Sequence, residues 1–165
     1  MLESIIRLAS VQDIPTIQEI VNDAYGHYVE RIGSKPAPMN DDYAEHVERR
    51  TIWVLETSSG IAGLMVLRVD GHFVLVSNVA VSKAYQGRGF GKRLLDFADA
   101  FATQKGISEL RLYTNELMHE NLAIYSKLGW VEFDRAEQDG FRRVFMRKTL
   151  LQPKVPSVSP FRKRI

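Results

Sequence analysis

Apolar and polar positions follow a helical period in the first part of the chain. After a short apolar strand at Ile5 to Leu8, apolar residues recur at steps of three and four from Ile14 to Tyr28. This spacing predicts a helix with one buried face. Asp13 is placed to cap that helix, and Pro15 is tolerated in its first turn. The glycine and prolines of Gly33 to Pro38 then predict a loop.

The period changes to that of β-strands after a second, short helix predicted at Asp41 to Arg50. Asp70-Gly71 is a strong hairpin signal. Three strands are predicted around it, at Thr51 to Glu56, Ile61 to Val69 and His72 to Val81. We expect them to form an antiparallel meander.

The second half of the chain predicts helices and strands in turn. A helix at Gly89 to Gln104, ended by Gly106, precedes a strand at Leu110 to Tyr113. A short helix at Asn121 to Leu128 and closing strands at Val131 to Phe133 and Phe141 to Met146 complete the pattern. Because a helical crossover precedes it, the strand at Leu110 should run parallel to the one that ends at Val81. The fold class predicted is α/β (α+β), with a mixed, mostly antiparallel central sheet flanked by helices.

Composition narrows the class of protein. The chain has 165 residues, 45% of them apolar and 25% charged, which suits one globular domain over residues 1–150. The net charge of +2 argues against general nucleic-acid binding. With no cysteine and four histidines without ligand spacing, we expect neither a disulfide nor a metal site. No signal peptide and no long apolar run is evident, so we expect a cytoplasmic protein without a membrane anchor. Residues 151–165 form a basic, proline-containing tail, interpreted as a solvated extension or a contact for docking or oligomerisation.

The segment with the most chemical information links the strand ending at Val81 to the following helix. It reads Gln86-Gly87-Arg88-Gly89-Phe90-Gly91. Glycines allow successive backbone N–H groups to turn toward one point, and a helix start has unpaired N–H donors with partial positive charge. Arg88, Lys92 and Arg93 add cationic side chains. The turn therefore predicts a site for a phosphate or pyrophosphate.

Two common phosphate motifs do not fit this turn. A P-loop requires a hydroxyl residue after Gly91-Lys92, where Arg93 stands, and a glycine where Gln86 stands. A dinucleotide fingerprint that starts at Gly87 would need its last glycine at Lys92. The strand also follows a meander and does not open a leading βαβ unit.

The remaining match is a Gln-x-x-Gly-x-Gly motif, together with a second motif downstream. The residues that carry the two motifs are Gln86, Gly89, Gly91, Asn121, Ala123, Tyr125, Gly129 and Trp130. In these residues the chain resembles the GNAT superfamily of N-acetyltransferases. The resemblance extends from about Ile5 to Lys148, nearly the whole domain.

The resemblance implies acetyl-CoA as co-substrate, held in a V-shaped slot between Val79–Val81 and Leu110–Tyr113. The backbone of the first strand would pair with the pantetheine arm, and the amides of the turn would hold the pyrophosphate. The cofactor-binding residues implied in this way are Val79, Ala80, Val81, Gln86, Gly87, Arg88, Gly89, Phe90, Gly91, Lys92 and Asn121. Asn121 also has an alternative interpretation, as the N-cap of the helix that follows it.

The resemblance further implies that Tyr125 donates a proton to the leaving thiolate, although a core tyrosine packed on the sheet remains an alternative. A backbone N–H near Val79 would stabilise the oxyanion. The general base is not identified, since Ser77 and Asn78 are not bases. A base that acts through an ordered water is one alternative, and three residues of the loop before Tyr125 are candidates for a direct base: Glu116, His119 and Glu120.

The resemblance also implies that the acceptor is a primary amine, bound between Tyr25–Asp42 and Ala136–Arg142. Asp41 and Asp42 would attract a cationic amine, or they are only solvated. A small molecule is favoured over a protein amine, and a homodimer is possible. A non-catalytic module that binds acyl-CoA is the main rival. A weaker one is a nucleic-acid binder that uses the basic tail together with Arg88, Lys92 and Arg93.

Overall fold

A computed structural model describes residues 3–151 of the chain. The basic tail predicted at 151–165 lies outside these residues, except for Leu151. Within the described part, no helix combines the length and the apolar character needed to cross a membrane.

The described chain forms one seven-stranded sheet with helices on both faces. The strands are β1 (Ser4–Leu8), β2 (Ile52–Thr57), β3 (Gly60–Asp70), β4 (Phe73–Val81), β5 (Glu109–Asn115), β6 (Val131–Gln138) and β7 (Phe141–Thr149). The α-helices are α1 (Ile14–Tyr25), α2 (Tyr28–Ile32), α3 (Tyr43–Arg49), α4 (Phe90–Gln104) and α5 (His119–Lys127). The order in the sheet is β1-β2-β3-β4-β5-β7-β6, so the predicted mixed and mostly antiparallel architecture is confirmed.

Two apolar clusters lie on opposite faces of this sheet. One packs α4 against the sheet through its buried face, which includes Leu94 and Ala98. The other packs α1 and the segment up to α3 against the opposite face, through residues such as Ile17 and Val21. The helical period of the sequence therefore identifies the buried faces of both long helices correctly.

Strands β4 and β5 are parallel, as predicted, but they pair along only part of their length. The pairing runs from Val74–Leu110 to Val76–Leu112 and is not continued beyond it. From Ser77 onward, β4 remains paired with β3 and leaves β5. This divergence opens a slot in the middle of the sheet.

A β-bulge marks the point of divergence. In the β3–β4 register, Asn78 lies opposite Val66, whereas Val76 lies opposite Leu67, so Ser77 is the extra residue. Val74 and Val76 belong to the α4 cluster, and without a bulge the alternation would place Asn78 there too. The extra residue turns Asn78 toward the α1 face of the sheet. It lies where the pairing of β4 with β5 ends.

Several element boundaries differ from the prediction. The first helix ends at Tyr25, and α2 starts as a separate turn at Tyr28. Asp13 does not cap α1 with its side chain; its carboxylate accepts hydrogen bonds from Ser10 N (2.8 Å) and Arg7 Nη1 (2.7 Å). Part of the predicted loop before α3 is a 3₁₀ turn at Ala37–Asn40.

A close approach at Gly63 allows β4 to remain against β3 beside the slot. A methyl group on Gly63 would lie 2.6 Å from the Ala80 carbonyl oxygen and 3.2 Å from Leu94 Cδ1. We expect Gly63→Ala to lower the free energy of unfolding by about 1–3 kcal/mol, because a backbone atom must move. Urea denaturation measures this effect. Gly91→Ala is the matched control, since its methyl would meet only Val81 Cγ2 at 3.9 Å; equal stability of the two variants would contradict the packing argument.

Candidate functional site

The edge of β4 that faces the slot presents free backbone N–H groups. Ser82 N donates to Ala62 O (2.9 Å), so the even-numbered positions at this end of β4 face β3. Val79 and Val81 therefore direct their N–H and C=O groups away from β3. Their carbonyls already accept from side chains, Val79 O from the Tyr25 hydroxyl (3.1 Å) and Val81 O from Gln86 Nε2 (3.0 Å).

The glycine turn continues this edge with a run of free amides. Gly87 and Gly89 have φ values of +78° and +82°, which residues with a side chain rarely adopt. Gln86 N bonds to Lys83 O, and Arg93 N is the first helical amide, bonding to Gly89 O. Between them, within the described residues, no hydrogen bond is recorded for the amides of residues 87–92. The free donors thus start one residue later than the sequence predicted.

The cationic side chains around the turn differ in what they contact. The Arg88 guanidinium lies 5.7 Å from the centre of the Tyr85 ring. Lys92 forms an ion pair with Asp96 (2.8 Å), and Arg93 donates to the Ser4 carbonyl (2.7 Å). Of the three cations, only Lys92 lines the cavity beside the turn.

Two cavities meet in the slot. The cavity beside the turn has a volume of about 530 Å³ and includes residues 79–81, 86, 87 and 89–92 in its walls. The second, of about 330 Å³, lies beyond the point where β4 and β5 separate, with residues 76–79 on one wall and 112–115 on the other. Four residues line both cavities: Tyr25, Val79, Asn121 and Tyr125. These four residues form the wall that the two cavities share.

Tyr125 lies on α5 at the junction of the cavities, with its ring edge-on to Trp130 (centroids 6.2 Å apart). Removal from water, with a smaller contribution from Tyr28, raises the pKa of Tyr125 well above its usual range. The phenol therefore keeps its proton at neutral pH and has the form that a proton donor needs. No hydrogen bond within the described residues engages its hydroxyl.

Asn78 joins three elements beneath the second cavity. The Tyr25 hydroxyl donates to Asn78 Oδ1 (2.7 Å), and Asn78 Nδ2 donates to the Tyr43 hydroxyl (3.0 Å). Tyr43 in turn donates to the carbonyl of Pro38. Burial raises the pKa of both tyrosines above the usual range, so the chain of bonds is neutral. It fixes α1 and the segment before α3 on β4.

The walls of the second cavity carry charges of both signs. The hydrogen bond from His46 Nε2 (2.8 Å) to Asp41 lowers the pKa of that carboxyl, which is ionised at neutral pH. Asp42, by contrast, caps α3 by accepting from Glu45 N (3.1 Å). On the other side, Arg143 of β7 lines the cavity together with Asp139.

None of the three loop candidates for a general base is well suited to that role, although Glu120 lines the cavity beside the turn. Glu116 pairs with Arg142 (2.9 Å), and its carboxylate lines neither cavity. The hydrogen bond from Arg31 lowers the pKa of Glu120 to about 2, which makes it a weak base. His119 is exposed and lines neither cavity.

Some predicted positions are refined by the structure. Asn121 does not cap its helix, because α5 already begins at His119. The slot faces residues 112–115 of β5 rather than Leu110, which pairs with Val74. Sequence reasoning missed Arg143 and Tyr43, since both lie in patterns that indicate only a strand and a helix. The one signal in the sequence for Asn78 was a polar residue among the apolar positions of the predicted strand.

Comparison with known proteins gives a consistent result. The model of the acetyltransferase (GNAT) domain family matches residues 48–132, just over half of the chain. The chain is 29% identical to the N-acetyltransferase YvbK of Bacillus subtilis over 90 residues, 54% of this chain and 57% of that protein. It is 41% identical to N-alpha-acetyltransferase 80 of Mus musculus over 59 residues, 36% of this chain and 18% of that protein. The matches thus span less than two thirds of either relative.

Solved structures share the fold at low sequence identity. PaiA N-acetyltransferase from Thermoplasma acidophilum, in complex with coenzyme A, superposes with a TM-score of 0.77 at 20% identity, covering 89% of this chain and 99% of that one. The ribosomal-protein-S18-alanine N-acetyltransferase from Escherichia coli gives 0.71 at 18% identity, covering 94% and 99%.

The Asn78 bridge predicts a loss of stability on truncation. Asn78→Ala removes the side chain that joins the Tyr25 and Tyr43 hydroxyls, so that each hydroxyl keeps only its bond to a backbone carbonyl. We expect the loss of these two buried hydrogen bonds to cost about 1–3 kcal/mol of unfolding free energy. Urea denaturation measures the change. Ser77→Ala, at the neighbouring position in the same cavity wall, is the control and should change stability by less than about 0.5 kcal/mol. Equal effects would show that the bridge does not hold the elements together.

Proposed function

The chain belongs to the GNAT family of acetyltransferases, whose co-substrate is acetyl-CoA, and we propose that it transfers the acetyl group to a primary amine of a small molecule. The observation that carries this proposal is the meeting of two cavities at Val79 and Tyr125. One cavity has the free backbone donors for a phosphorylated cofactor. The other has polar walls and an ionised carboxylate for an amine.

In this proposal the cofactor lies along the free edge of β4 and ends at the glycine turn. Val81 offers its free backbone N–H to the pantetheine arm, as an added strand would, and the Val79 N–H faces the thioester carbonyl. The amides of residues 87–92 converge on the pyrophosphate at the start of α4, where the helix dipole favours negative charge. Phe90, Lys92 and Asn121 complete the walls, and Ala80 contributes its side chain because its backbone faces β3. Arg88 approaches the phosphates from outside the cavity.

The transfer itself needs one proton donor and one oxyanion donor. The neutral amine attacks the thioester carbon, a C–N bond forms, and the carbonyl becomes an oxyanion that the Val79 N–H stabilises. Collapse breaks the C–S bond and expels the thiolate of coenzyme A. Tyr125 gives its proton to that sulfur, and the proton that the attacking nitrogen loses restores the phenol through water.

The acceptor cavity suits a small amine. Its volume of about 330 Å³ falls at the lower end of the range for small-molecule sites. The Asp41 carboxylate attracts the ammonium form, which must lose a proton to water before attack, since the pKa of an alkylamine is about 10.4. Because Glu116 and Glu120 each form an ion pair with an arginine, this relay is favoured over a direct side-chain base.

Thiol release tests the reaction, and a glycine pair tests the cofactor site. Gly89→Ala adds a methyl at positive φ in the turn, so the amides should no longer converge and coenzyme A affinity should fall at least about ten-fold. Gly71→Ala, at φ +62° in the β3–β4 hairpin, introduces similar backbone strain away from both cavities. Titration calorimetry compares the two variants.

Equal affinities for coenzyme A in these two variants would refute the assignment of the turn. Tight cofactor binding without thiol release, across a broad panel of amines, would instead favour a non-catalytic acyl-CoA module.

Removal of the Tyr125 hydroxyl tests the acid role. Tyr125→Phe should lower kcat about ten-fold or more, because the thiolate then leaves without a proton donor. Affinity for coenzyme A should change little, since the ring remains in place. Single-turnover thiol release at several pH values measures the effect. Unchanged turnover would assign Tyr125 to packing alone.

A further inference from the structure

A buried arginine in the acceptor cavity has no dominant partner of opposite charge. The side chain of Arg143 is 8% exposed. Its shortest hydrogen bond joins Nη1 to the neutral Oε1 of Gln138 (2.6 Å). The nearest carboxylate, Asp139 Oδ2, is 3.4 Å away and belongs to a side chain that is 75% exposed. Buried charges are usually paired, but the Arg143 guanidinium has no close, buried carboxylate partner within the described residues. An anionic ligand could supply one.

Aromatic rings hold the guanidinium in place at the cavity wall. Its carbon lies 4.4 Å from the centre of the Tyr113 ring and 5.8 Å from that of Phe141. Tyr113 and Phe141 line the same cavity as Arg143. Within the described residues, this guanidinium donates hydrogen bonds only through Nη1. Its Nε and Nη2 are therefore available to a ligand.

We propose that Arg143 is an anchor for a carboxylate of the acceptor, so that the preferred substrate is an amine that also carries a carboxylate. This inference rests on the proposed function, because it specifies the substrate class of the same cavity. A planar guanidinium matches a carboxylate geometrically and is already ordered by its rings. The ionised Asp41 elsewhere in the cavity wall complements the ammonium end of such a molecule.

The same charges discriminate against other amines. A second ammonium group, as in a diamine, would lie against the Arg143 cation and be disfavoured. An uncharged group would lose the charge-assisted hydrogen bonds that the guanidinium offers. The carboxylate belongs either to a free amino acid or to an acidic residue near the end of a peptide, and its chemistry toward Arg143 is the same.

Product analogues test the proposal without requiring turnover. N-acetylated amino acids and ω-amino acids of graded length, each paired with its carboxamide, are titrated into the protein with coenzyme A present. A parallel arm uses N-acetylated peptide amides with an acidic or an amide residue, which separates the two sources of carboxylate. We expect at least one carboxylate to bind about ten-fold more tightly than its carboxamide. No preference in either arm, or no binding at all, would overturn the proposal.

Variants then assign the preference to Arg143. Arg143→Gln should abolish it, and Arg143→Lys should retain part of it because the charge remains without the planar fork. In turnover assays, Arg143→Gln should raise KM for carboxylate amines with little change in kcat. Arg147→Gln is the matched control, since Arg147 lies on the same strand over the Phe133 ring (5.4 Å) but lines neither acceptor nor cofactor cavity. A preference for carboxylates that survives in Arg143→Gln would refute the role of Arg143 as the anchor. If this variant does not fold, the titration of the wild-type protein still shows whether a carboxylate is preferred.

The outcomes for the two proposals are separable. A carboxylate preference without thiol release from any amine would contradict the transferase reaction and keep the anion site. Acetyl transfer only to diamines, or to amines without a carboxylate, would support the transferase reaction and contradict the role of Arg143 as a carboxylate anchor.

Discussion

The separation of β4 from β5 after Val76 is the constraint on which the site depends. A regular sheet would use the backbone groups of Val79 and Val81 in a ladder with β5. Because Ser77 is an extra residue in the β3–β4 register, the ladder with β5 ends there and the N–H groups of both valines remain free. The slot is then extended by the amides of the glycine turn. The two cavities are therefore two halves of one gap in the sheet.

An open gap in a sheet requires support from elsewhere, because unpaired strand edges are otherwise exposed. Tyr25, Asn78 and Tyr43 supply it through neutral hydrogen bonds that connect α1 and the segment before α3 to β4. The same bulge that opens the slot also turns Asn78 toward these tyrosines. One inserted residue, Ser77, therefore has two effects. It leaves the edge of β4 free, and it positions the polar side chains that support this edge.

The fold and the glycine turn were predictable from sequence because their signals are local. Helical periodicity identified the faces of α1 and α4, and the spacing of Gly87, Gly89 and Gly91 identified the free amides. The bulge at Ser77 was not predictable from the sequence, since the alternation of residues along β4 gives no sign of an extra residue. Arg143 was missed for a related reason: its environment comes from Tyr113 and Phe141, which reach it only through the pairing of distant strands.

Backbone amide hydrogen exchange with and without acetyl-CoA tests the central claim most directly. If the cofactor uses the free edge of β4, the amides of Val79 and Val81 and those of residues 87–92 should gain protection on binding. Amides of the solvent-exposed strand β6 serve as the internal reference and should not change. Saturating acetyl-CoA that leaves the β4 and turn amides exchanging as before, or protects a different surface, would contradict the account.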